Sequence, residues 1–409
     1  MSIDYLALGE ELDLEEYLIC EYTVKSTLDI ETAGKRIAEE ESTGTWTHPT
    51  TLSDDIFQNY GAKVTEAEGD RVRIGFPVID FSGDIGEIPQ ILSIIAGNLF
   101  GLDSLDGVRL VDLELPQSIV KQYPGPQFGI EGLRQILDRP ERPLVGTIVK
   151  PKIGLPPKEF AEYVYEGGKG GLTNSKDDET LVDQDFCPLE ERVNKVSEKL
   201  DLLEEEGHKM IHAHNISTSA HRILEAADLA LENGARQLMV DVLTVGFSGV
   251  QALAEDPSVD VPIHVHRAMH AAMTKNPDHG ISMPVIAKIV RMAGGDALHT
   301  GTYGAGKMHA EIEEELKSKE FLLQDMHGLP RMMPVASGGL HPGLIQELIE
   351  MSGLDVQIQA GGGVSGHPDG VRSGAKALTQ AVEGAFQGIP LVDYAEDHDE
   401  LKKALDKWM

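Results

Sequence analysis

From residue 144 onward, short strand-like runs recur eight times, with helix-like stretches between or after them. The strand candidates are 144–150, 170–176, 209–215, 236–242, 261–266, 296–302, 332–337 and 356–361. Helical periodicity marks 157–166, 189–206, 219–233, 283–293, 305–319, 343–352 and 371–387, with a weaker stretch at 248–255. Eight βα units over such a span fit a (β/α)8 barrel, which typically takes about 250 residues. A doubly wound open sheet is the alternative, but it more often carries five or six such strands. The barrel is the expected fold.

The preceding part reads differently. A strand-like run at 16–24 leads to a helical pattern at 29–40, then a hairpin around Gly69-Asp70, a helix over 88–98 and a strand over 107–115. The order β-α-β-β-α-β is that of a ferredoxin-like α+β domain. "YPGPQFG" (123–129) reads as a boundary, since Pro and Gly punctuate elements. The expected division is therefore 1–125, ferredoxin-like, and 126–409, barrel.

Composition excludes some roles. Acidic residues number 68 against 35 basic ones, a formal charge of −33. Such a chain repels nucleic acid and anionic membranes. The acidity is spread along the chain and lysine is scarce, as expected of a halophile's cytosolic protein. No apolar run approaches the roughly 18 residues of a spanning helix. The opening "MSIDYLALGEELDLEE" lacks the basic and apolar regions of a signal peptide. Two cysteines, Cys20 and Cys187, make no disulfide framework. A cytoplasmic location is expected.

In a closed barrel the C-terminal strand ends converge on one mouth, where active sites of this fold lie. The polar residues at those ends are Lys150 and Lys152, then Lys176, Asp178 and Glu179, Asn215, His266 and Arg267, His299, Ser337, and Gly361, Gly362 and Gly363. Taken singly, a strand-terminal histidine is more often a satisfied structural residue, a glycine cluster a turn, and "KDDE" a solvated ion-paired face. Together they suit an anionic substrate. "SGGLHPG" (337–343) and "GGGVSGHPDG" (361–370) are glycine-rich loops before helices, apt for phosphate. Arg267 and His299 can serve a second phosphate.

Asp178 and Glu179 are hard oxygen ligands that suit magnesium. Lys176 is out of place there as an ammonium. Addition of CO2 to its neutral amine gives a carbamate anion, a third oxygen donor whose formation is linked to metal binding.

The quoted segments, with "STGTWT" (42–47), "GNLFG" (97–101), "KPKIGL" (150–155), "GGLTNSKDDE" (170–179), "HVHRAMHA" (264–271) and "LHTGTYGAGKM" (298–308), carry a resemblance. The chain resembles the large subunit of ribulose-1,5-bisphosphate carboxylase/oxygenase (RuBisCO) over essentially its whole length, and looks most like its archaeal, form III branch. That resemblance implies Mg2+ shared by carbamylated Lys176, Asp178 and Glu179. It implies proton transfer by Lys150, electrostatic support from Lys152, proton transfer or hydration assisted by His266, and closure over the site by Lys307. One phosphate falls to Thr45, Trp46, Lys307, Gly338, Gly339 and Gly361 to Gly363, the other to Arg267, His299 and Ser337. Glu40 and Asn98 come from a second subunit, so a homodimer is implied, alone or in a larger ring such as a decamer, without a small subunit. The implied substrates are ribulose 1,5-bisphosphate, CO2 and the competing O2, within archaeal nucleotide breakdown.

The family usually has an acidic residue three positions before the activating lysine, where this chain has Thr173, followed by Asn174 in a commonly apolar position. Two other readings share the fold: a RuBisCO-like enolase or isomerase of sulfur salvage, and a non-catalytic phosphosugar-binding protein. The first typically replaces the mobile-loop lysine, and the second does not need the Lys176, Asp178 and Glu179 set.

Overall fold

The computed structural model describes residues 4–47, 49–83, 85, 87–306 and 311–409. Two compact units emerge: residues 1–123 together with 269–289, and residues 124–268 together with 290–409.

In the first unit, strands Tyr17–Lys25, Lys63–Glu68, Arg71–Pro77 and Gly107–Glu114 form an antiparallel sheet in the ferredoxin-like order fourth, first, third, second. Alternation drives it: Leu18, Cys20, Tyr22 and Val24 of the first strand are buried, as a half-buried strand requires. The helix Ile30–Glu40 opens on Asp29, whose carboxylate accepts from the Thr32 N–H, and buries Ala33, Ile37 and Ala38. A fifth strand, Gly280–Ile281, pairs in parallel with Gly107–Glu114. Arg109 ties that segment down by donating to the carbonyls of Thr274 and Asn276 at 3.0 and 2.5 Å.

The second unit is a closed parallel barrel. Its strands are β1 (Leu144–Ile148), β2 (Asn174–Lys176), β3 (Ile211–Asn215), β4 (Gln237–Asp241), β5 (Ile263–His266), β6 (Ala297–Gly301), β7 (Met333–Ser337) and β8 (Gln357–Gln359). β8 closes on β1 through Gln357↔Leu144 and Gln359↔Gly146. Every expected strand is present, most of them trimmed by a few residues. Two trims have clear causes: Gly171, at φ +94°, turns the chain ahead of β2, and the helix Gly362–Ser365 starts three residues after β8.

Besides short helical turns, two longer barrel helices went unpredicted. The helix Gly129–Leu137 packs Ile130, Leu133 and Leu137 against Leu144, Ile211, Ala297 and Met333, the first inward positions of four strands, and so closes the barrel's N-terminal end. Helix Asp399–Trp408 buries Leu401, Ala404 and Leu405. The helix expected at 305–319 is found at Ile312–Leu323. Among the described residues, no helix is long and apolar enough to cross a membrane.

Candidate active site

Alternation along a strand sends successive side chains to opposite faces, and the register makes the faces explicit. Lys176 pairs with Ile148 and Ala213, Asp241 with His266, and Ser337 with Gln359. The structure thus brings Lys150, Lys152, Lys176, Asp178, Glu179, His266, His299 and Ser337 to the C-terminal end of the barrel.

Lys176 is 1 % exposed. Its ammonium donates to the Asp177 carbonyl at 2.9 Å and stands 3.9 Å from Glu179 Oε2. Burial pushes its pKa below the ordinary lysine value, against the pull of Glu179, Asp178 and Asp241; desolvation disfavours the charged form. A neutral amine is the form that adds CO2. Burial opposes ionisation of Glu179, yet Lys176 and His266 hold it down to about 2.

Lys150 Nζ lies 2.6 Å from Asp178 Oδ2. Lys152 Nζ lies 3.1 Å from Glu179 Oε1 and 3.8 Å from Asp178 Oδ1. Its pKa is raised, chiefly by the bond to Glu179. Gly361 makes room for this: a Cβ there would sit 2.9 Å from Lys150 Cε. Gly363 abuts the preceding loop, with a Cβ meeting the Leu340 carbonyl at 2.3 Å. The two glycine-rich loops, carrying Gly338 and Gly339 and Gly361 to Gly363, are therefore neighbours.

His266 bonds through Nδ1 to Asp241 Oδ1 at 2.8 Å, and its Nε2 is 3.9 Å from Glu179 Oε2. His299 is held by His264 at Nε2 (2.8 Å) and Ser337 Oγ at Nδ1 (2.6 Å). Burial depresses the pKa of both His266 and His299, so both are neutral near pH 7. Arg267, lowered to about 10 chiefly by burial, lies in the field of Glu315 and Tyr303.

Asp241 and His264 escaped the sequence reading, although signals existed. A carboxylate ends the apolar run "LMVD", and His264 stands two residues before His266, on the same strand face.

Behind β2 and β3, on the face opposite Lys176, lies a second polar cluster. Asp177 accepts from Arg192 (Nη2 2.9 Å, Nε 3.1 Å), His212 Nε2 (2.9 Å) and the Asn215 N–H (2.8 Å). Asp177, His212 and His214 have ligand atoms within 4.8 Å of one another. A metal ion there would have to displace the Arg192 guanidinium from its carboxylate. We read the cluster as a brace that fixes the β2 terminus, and with it Asp178 and Glu179.

In the N-terminal unit Asn98 Nδ2 reaches Glu40 Oε1 at 3.4 Å. Glu41 anchors the same turn by accepting the N–H groups of Leu99 (2.6 Å) and Gly97 (3.2 Å). Thr45 is half-buried, and Trp46 is 86 % exposed. Lys307 lies outside the described residues.

Fold and mouth together define a (β/α)8 enzyme with a buried lysine beside paired carboxylates. Residues 129–408 match the family described as ribulose bisphosphate carboxylase large chain, catalytic domain, and residues 8–119 match its N-terminal domain. The ribulose bisphosphate carboxylase of Methanocaldococcus jannaschii is 41 % identical over 99 % of this chain and 100 % of its own length. That of Pyrococcus furiosus is 41 % identical over 99 % and 97 %. Among solved structures, octameric RuBisCO from Pyrococcus horikoshii superposes with a TM-score of 0.92 at 39 % identity, covering 99 % of this chain and 96 % of that one. Dimeric archaeal RuBisCO from Hyperthermus butylicus gives 0.90 at 36 % identity, covering 99 % of this chain and 98 % of that one. The chain belongs to the RuBisCO large-chain family.

Proposed function

We propose that the protein is a ribulose-bisphosphate carboxylase that adds CO2 to the enediolate of D-ribulose 1,5-bisphosphate, giving two molecules of 3-phosphoglycerate, with O2 competing. The carrying observation is Lys176: buried, biased toward the neutral amine, and adjacent to Asp178 and Glu179. As a carbamate it completes an all-oxygen set with those carboxylates, which fits Mg2+. The bound ion supplies Lewis-acid stabilisation of negative charge on the substrate's oxygens.

The chain's own residues do the rest. The Lys176 carbamate is the base that takes the C3 proton. Lys150, released from Asp178, delivers the final proton, and Lys152 supports the local positive potential. His266, oriented by Asp241, assists proton transfer during hydration. Arg267 and Ser337 hold one phosphate, with His299 supporting it through its bond to Ser337. The glycine loops at 338–339 and 361–363 hold the other, with Lys307, Thr45 and Trp46. Glu40 and Asn98 of the partner subunit complete each site, so the working unit is a dimer. The octameric and dimeric relatives support that reading. A role in archaeal nucleotide breakdown, in a halophilic form III setting, follows from the resemblance and the charge.

The test is an assay with bicarbonate, Mg2+ and ribulose bisphosphate at high KCl. We expect 3-phosphoglycerate from the wild type and none from Lys176→Ala with ligand binding retained. Undiminished product from Lys176→Ala would refute the mechanism.

A further inference from the structure

The barrel's interior is unusual between its two ends. Side chains filling such a barrel are mostly bulky and branched, and at the N-terminal end they are apolar, closed by helix Gly129–Leu137. One step further in, the inward positions are Asn174 on β2, Gln237 on β4, His264 on β5, and Gln357 and Gln359 on β8. Each is at most 1 % exposed. Both amide atoms of Asn174, Gln237, Gln357 and Gln359, and Nδ1 of His264, have no hydrogen-bond partner among the described residues. Gly146, paired with both Gln359 and Asn174, adds no bulk: Asn174 Oδ1 lies 2.1 Å from where its Cβ would stand.

Buried polar groups without partners are costly, so a native core does not leave this many unpaired. The guest must suit its hosts. The amides offer donors and acceptors in equal number and carry no charge. A cation would satisfy only the oxygens and an anion only the nitrogens. Water satisfies both, with roughly three hydrogen bonds per buried molecule.

His264 gives the site a consequence. Its Nε2 bonds to His299 Nε2, and His299 Nδ1 bonds to Ser337 Oγ at the mouth. A neutral imidazole has one donor and one acceptor nitrogen. Whether His264 Nδ1 donates or accepts therefore sets the direction of every bond out to the Ser337 hydroxyl. We propose that ordered water fills the middle of the barrel and, at His264 Nδ1, terminates this chain, so that Ser337 can present either a hydrogen or a lone pair to its ligand. Because water can donate or accept, both directions stay accessible.

The test begins with a crystal structure of the wild-type protein at a resolution that resolves ordered water. Expected are water peaks bonded to His264 Nδ1 and to the four amides; amides bonded to one another, or a dry lumen, would overturn the proposal. This arm does not depend on turnover, so its failure is distinct from failure of the carboxylase reading. The ligand-facing half does rest on that reading. Gln237→Met, in the strand beside His264, removes a host while keeping similar volume. We expect it to fold, to lose water peaks, and to change KM for ribulose bisphosphate roughly fivefold, the size of one altered hydrogen bond. Loss of the peaks with KM unchanged would sink the link to Ser337.

Discussion

Lys176 and Gly361 show how much of the site is decided by single side chains. A surface lysine would remain an ammonium and repel a metal; this one is stripped of water on the inner barrel wall, and desolvation favours its neutral form. Gly361 acts by what it lacks. Its backbone, at φ −79°, is one that any residue adopts, so Gly361→Ala introduces no backbone strain. The added methyl instead meets the flexible end of Lys150. We expect Gly361→Ala to change the melting temperature little and to reduce turnover at least tenfold, on the scale of a misplaced proton-transfer group. A variant with normal turnover would show that Lys150 need not occupy this position.

At the scale of elements, β2 and β3 are locked by the Asp177, Arg192 and His212 brace. Asp177 is fully buried, and its pKa nevertheless falls below the ordinary 3.8 because Arg192 and His212 outweigh desolvation. A depressed carboxylate contributes stability that is present above its unfolded pKa and lost as pH falls through the folded one. Acid unfolding of the barrel should therefore extend below pH 3.8, and Asp177→Asn should flatten that limb. Arg192→Met leaves a buried charge unpaired and should cost about 3–5 kcal/mol in denaturant unfolding; less than about 1 kcal/mol would contradict the brace.

These elements also show what a sequence can reveal. The eight strands were legible because each is a short apolar or polar-ended run bounded by turn residues, and the mouth followed from their shared direction. The helix Gly129–Leu137 was not, because it follows "YPGPQFG" and reads locally as linker; its burial comes from strand ends far along the chain. The strand Gly280–Ile281 was invisible for the same reason, since its partner lies about 170 residues earlier. Asp178 and Glu179 stood out as hard oxygen ligands beside Lys176 once the barrel mouth gathered them, whereas Asp241 and His264 act through other side chains, and the segment "HVHRAMHA" that opens on His264 drew attention to His266 and Arg267 instead.

For the whole molecule, the charge of −33 dominates. Self-repulsion among spread carboxylates destabilises the compact state, and salt shortens its range from about 10 Å at 0.1 M to about 3 Å at 1 M. The melting temperature should rise over that interval of KCl; a flat or falling curve would contradict the reading of a surface adapted to salt. The most direct measurement of the central claim concerns the lysine itself. With 13C-labelled CO2 and Mg2+, the wild-type protein should show a single carbamate carbon signal that disappears in Lys176→Ala. A signal that survives the substitution, or a wild type active without one, would contradict it.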